Sequence, residues 1–119
     1  MNLTTTHIDL SSVKAISRGD LIRLEKYIRQ FNELIPERLE LLKKALFEED
    51  RVLIRQIAHK MAPQLKFFGV KGINFPIKRL ELEYLSLPKQ ELLELVSDII
   101  TKLEDAIAEV STILKHHFE

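Results

Sequence analysis

A chain of 119 residues is sized for one domain that buries roughly two-thirds of its unfolded surface, and its three glycines and four prolines, about half the average usage, favour helices over a turn-rich sandwich. No cysteine is present, which excludes disulfides, thiolate metal sites and cysteine nucleophiles. Eighteen basic residues balance eighteen acidic ones, so there is no electrostatic footprint for nucleic acid, and no apolar run approaches the ~18 residues of a membrane span.

Residues 1–8 are polar and non-periodic and read as a flexible lead-in to a single domain over 9–119. The opening Met1–Thr6 lacks the basic and apolar regions of a signal peptide, and a cytoplasmic protein is expected. Ser11 or Ser12 is positioned to cap a short helix carrying Val13 and Ile16, with Asp20 as the N-cap of the next. Leu21, Leu24, Ile28, Phe31 and Ile35 then step by 3 and 4, which is one face of a helix. The stripe resumes beyond Pro36 as Leu39, Leu42 and Leu46, in one kinked helix or two.

Glu48-Glu49-Asp50 supplies a turn and the negative N-cap of a third helix from about Arg51 toward Phe68, striped by Ile54, Ile57, Ala58, Met61, Leu65 and Phe68. Gly69-Val70-Lys71-Gly72 ends it. Asn74 is a candidate cap for a helix carrying Ile77, Leu80 and Tyr84, which Ser86-Leu87-Pro88 breaks. The last helix has two rows: Leu92, Val96, Ile99, Leu103, Ala106, Val110 and Ile113, and beside them Leu93, Ile100, Ile107 and Leu114. Such a wide stripe suits a globular bundle better than a narrow coiled-coil seam. Short connections between long amphipathic helices imply antiparallel neighbours. The expected architecture is all-α, an antiparallel up-and-down four-helix bundle with a short additional N-terminal helix.

Among the four histidines, His59 is the informative one. It lies two residues from Ile57 and from Met61, about 160° from each around the helix, and should face solvent. Its own helix surrounds it with Arg55, Gln56, Ala62, Pro63 and Lys66, small or cationic side chains and no carboxylate. His116-His117 reads as a solvated tail, and His7 falls in the lead-in. No histidine has Glu or Asp three residues before it, so no metal site is expected. No phosphate-binding glycine loop occurs, which argues against ATP binding.

The run from Ala58 through Val70 resembles the signature of the histidine-containing phosphotransfer (HPt) domain of bacterial two-component phosphorelays: His59, an apolar Met61 two residues on, and Gly69 ten after the histidine. The resemblance continues through Ile73, Ile77 and Leu80-Glu81. Upstream it takes in Ile8-Asp9-Leu10 and Gly19-Asp20, and in all it covers about 110 residues. Two positions depart: the family's lysine three after the histidine is Ala62, and its glycine four after is Pro63. Lys66, Arg55 or Lys60 is a candidate substitute for the missing cation, and Gln64 a candidate hydrogen-bond donor. Pro63 lacks an N–H and its ring meets the His59 carbonyl, which gives either a tolerated kink or space for a partner's active site.

The resemblance implies a phosphoryl carrier, not an ATP-dependent kinase, with His59 as the phosphoacceptor. Its partners would be response-regulator receiver domains, which hold the Mg²⁺, and a sensor or hybrid histidine kinase. The chain would need no cofactor of its own and act as a monomer. The alternatives are an HPt-like interaction module inactive in transfer, or a helical dimerisation domain built on the last helix.

Overall fold

The computed structural model describes residues 3–119. Five helices follow one another, α1 (Ser11–Ser17), α2 (Leu21–Phe47), α3 (Arg51–Phe67), α4 (Asn74–Glu83) and α5 (Lys89–His117), with no strand among the described residues. The last four pack in a ring, each against its neighbours in sequence and α5 back against α2, while α1 leans on α2. This is the expected four-helix bundle with a short additional helix. No helix among the described residues is long and apolar enough to cross a membrane.

The buried rows follow the sequence stripes closely. Ile28, Phe31, Ile35 and Leu42 of α2, Ile54, Met61 and Leu65 of α3, and Val96, Ile99, Leu103 and Val110 of α5 have almost no exposed surface. Phe31 and Phe68 join α2 to the end of α3 with ring centroids 4.5 Å apart. Of the outer row on α5, only Leu114 is buried; Ile100 and Ile107 are half-covered and Leu93 is exposed.

Pro36 lies inside one continuous α2 of 27 residues, which settles the choice between one helix and two. An interior proline costs about 3 kcal/mol, whereas each fully buried large apolar side chain contributes roughly 1.5–3 kcal/mol. Phe31 and Ile35 before the proline and Leu39 and Leu42 after it are all buried, so continuity wins. Leu21, although on the stripe, is the first helical residue and stands half exposed.

The helix ends match expectation at Asp20 and Asp50. The Asp20 carboxylate accepts from the N–H groups of Ile22 and Arg23, and that of Asp50 from Leu53. Two other caps differ. Leu10, not Ser11 or Ser12, is the N-cap of α1, and the Ser11 N–H donates to the Asp9 carboxylate at 2.9 Å. Ile73 caps α4, with Asn74 as its first residue. In α1 Ile16 is exposed, and the inward position goes to Ser17, whose hydroxyl donates to the Val13 carbonyl at 2.7 Å.

The lead-in is the main correction. Leu3, Ile8 and Leu10 are buried, and the Glu109 carboxylate of α5 accepts the backbone N–H groups of Thr6, His7 and Ile8. The segment also bonds to the end of α3: Asp9 N–H donates to the Phe68 carbonyl and Lys71 N–H to the His7 carbonyl. A polar, aperiodic stretch carries no sign of this because its backbone, not its side chains, makes the bonds. The part of the expected lead-in at Met1 and Asn2 lies outside the described residues.

At the same crossing Gly69 has φ +56°, and a Cβ there would lie 2.7 Å from the Asp9 carbonyl oxygen. Glycine is required twice over, by the left-handed conformation and by the strap laid against it.

Candidate functional site

His59 projects from the middle of α3, on the side away from the Ile57 and Met61 stripe, with its side chain 64 % exposed. That matches the helical geometry. The ring is not free, however: Nδ1 lies 2.7 Å from Oε1 of Glu81, which is 28 % exposed and comes from α4. The expectation of an imidazole without a carboxylate neighbour is therefore corrected. It considered only the helix that carries the histidine, whereas α4 packs alongside it.

Between the two helices runs an open groove of 660 Å³, walled by His59, Ala62, Pro63 and Lys66 of α3 and by Asn74, Ile77, Lys78 and Glu81 of α4. Four of the sequence candidates thus fall together: His59, Lys66, Ala62 and Pro63. α3 is continuous through Pro63 from Arg51 to Phe67. A larger side chain at position 62 or a lysine in its place would project into the space between the helices, which Ala62 leaves open.

The other candidates face elsewhere. The Arg55 guanidinium carbon sits 5.4 Å from the centroid of the Tyr84 ring, a cation–π contact that also packs the end of α4 on α3. Lys60 lies on the α2 side, in a smaller depression with Arg38, Leu41 and Ile57. Gln64 shares a surface with Gln30, Glu33 and Glu37. Neither lines the His59 groove.

Three groove residues escaped the reading of α3: Asn74, Lys78 and Glu81. A signal for one of them existed, because Leu80-Glu81 belongs to the stretch that resembles the HPt family. The spacing along α4 completes it, since residues 74, 78 and 81 recur at i, i+4 and i+7 and so share a face. Arg51 fixes that face in register: its Nη1 donates to the carbonyls of Tyr84 at 3.0 Å and Leu87 at 2.6 Å, tying the α4–α5 connection to the start of α3.

The remaining histidines gather apart from His59, where the N-terminal strap crosses α5. His7, His116 and His117 line a depression of 410 Å³ with Asp105 and Glu109, and His7 Nδ1 is 3.9 Å from Asp105. Among the described residues no group of three or more His, Asp or Glu side chains is placed to hold a metal ion. No family model, no curated protein and no solved structure matches the chain.

Proposed function

We propose that the protein is a phosphoryl carrier in a two-component phosphorelay, taking a phosphoryl group onto His59 from an aspartyl phosphate of one receiver domain and giving it to another. The observation that carries this reading is an exposed imidazole with Nδ1 engaged by Glu81 and Nε2 in no hydrogen bond among the described residues. At neutral pH a carboxylate only accepts hydrogen bonds, so Glu81 holds the hydrogen on Nδ1 and leaves the lone pair on Nε2 as the nucleophile. The Nε2–P bond forms as the P–O bond to the aspartate breaks, and the bonding pair leaves with that carboxylate. The ring becomes positive as it gives up electron density, and Glu81 stabilises that charge at hydrogen-bond distance. Return of the group to an aspartate reverses each change.

Little else is asked of the chain, because phosphoryl transfer depends mainly on position and charge. A rigid bundle supplies the first. Mg²⁺ on the receiver supplies much of the second, so the chain has no cofactor of its own, and a monomer acting in the cytoplasm suffices. Incubation of the full chain with a receiver domain phosphorylated by acetyl phosphate should give an acid-labile label at His59. His59→Gln should abolish it while leaving the melting temperature nearly unchanged. A wild-type chain that accepts no label from any phosphoryl donor would show an interaction module instead.

A further inference from the structure

The His59 groove lacks the lysine that the resembled family places three residues after its histidine, and it contains a carboxylate that makes the need for positive charge greater. A phosphoryl group brings about two negative charges at neutral pH. Glu81 adds another within hydrogen-bond distance of the same ring. Cations must offset these charges if the group is to settle on Nε2.

The six basic side chains of α3 and α4 divide clearly. Arg51 is held on the Tyr84 and Leu87 carbonyls, Arg55 lies over the Tyr84 ring, and Arg79 pairs with Glu83 and Glu91. Lys60 faces α2. Lys66 and Lys78 are left, one on each wall of the groove, both exposed and with no ion-pair partner among the described residues. The geometry points to Lys78 of α4 as a phosphoryl-binding residue that, with Lys66 across the groove, replaces the missing family lysine.

This inference rests on His59 being the phosphoacceptor. With both lysines the groove carries one net positive charge before transfer and none after it, the two phosphoryl charges being set against both ammonium groups and the positive ring; without Lys78 the loaded groove is left with one net negative charge. Neither ammonium gives or takes a proton, so the bonds made and broken at phosphorus are as described above. The second cation comes from the helix that also supplies Glu81, which keeps the opposed charges one turn apart on a single rigid face.

Phosphoramidate is a suitable probe, since it loses ammonia as its phosphorus bonds to an imidazole nitrogen and needs no particular receiver. Applied to the full chain at low ionic strength, Lys78→Ala should slow labelling of His59 by about ten-fold, the lower end of what one charge-assisted contact provides. Lys78→Arg should restore most of the rate, and Lys66→Ala/Lys78→Ala should be slower than either single variant. Raising the salt toward 1 M should shrink the difference between wild type and Lys78→Ala, because exposed charges are screened; a purely structural role would not respond in this way. Equal labelling rates in wild type and Lys78→Ala at low salt would overturn the inference and leave the carrier reading standing. A wild-type chain with no label on His59 would overturn both.

Discussion

The two histidine-lined hollows of the bundle use the same residue types for opposite purposes. In the α3–α4 groove Glu81 faces one exposed imidazole and makes its contact side chain to side chain. In the other hollow Glu109 sits beside three histidines, yet its carboxylate accepts the backbone N–H groups of Thr6, His7 and Ile8. A carboxylate near a histidine is thus not in itself a sign of chemistry. What matters is which donor it takes: a ring nitrogen, whose charge changes in a reaction, or a main-chain N–H, whose charge does not.

Paired substitutions turn that contrast into measurements. Glu81→Ala should slow transfer to His59 by about 10- to 100-fold, the loss of one charge-assisted hydrogen bond that strengthens as the ring becomes positive. Its effect on thermal stability should be slight, because the His59 side of the pair is largely exposed and a single solvent-reached pair contributes little to folding. Glu109→Ala should do the reverse, lowering stability by about 1–2 kcal/mol as three backbone donors return to water, with a fall in Tm of roughly 5 °C and transfer unchanged. Stopped-flow labelling and thermal melts on both variants check the pair. A loss of transfer in Glu109→Ala, or of stability alone in Glu81→Ala, would erase the distinction.

Gly69→Ala sharpens the same contrast at the strap. The left-handed φ and the approach of the Asp9 carbonyl both oppose a Cβ, and a loss of more than about 1 kcal/mol is expected, read by urea unfolding.

The smallest effect concerns Asp9. The Ser11 hydroxyl and then the Ser11 N–H hold its carboxyl below the ordinary value of 3.8. A depressed value in the folded state means that its contribution is complete above the unfolded value and is lost as pH falls through the folded one. Asp9→Asn should therefore leave a slightly less stable protein near pH 6 and a difference from wild type that closes in strong acid. Urea midpoints measured from pH 6 downward test it, and a difference that widens in acid would contradict the assignment.

Much of this molecule can be read along the chain. The 3-and-4 spacing located every long helix, and two residues of offset from Ile57 and Met61 were enough to turn His59 outward. Periodicity sees one helix at a time, however. It missed the Glu81 contact because the pair is made between helices, and with it Lys78 and Asn74, which stand on the same wall. It sorted Lys60 and Gln64 poorly for the same reason: both lie near His59 in sequence, but their angles around α3 carry them toward α2. The strap was the least visible feature, since its partner Glu109 is about a hundred residues away and the bonds involve main-chain atoms whatever the side chains are.

That separation has a consequence for the order in which the protein folds. The helix pairs α2/α3 and α3/α4 close short loops and gain contacts early, whereas joining residues 6–8 to Glu109 closes a loop of nearly the whole chain, with an entropic cost that grows with loop length. The strap should be laid down last, onto a bundle already formed, and be absent from the transition state for folding. A contact made that late shows in one limb of the kinetics: Glu109→Ala should hasten unfolding and leave the folding rate where it was. The carboxylate beneath the strap would then determine how long the native molecule lasts rather than how quickly it forms.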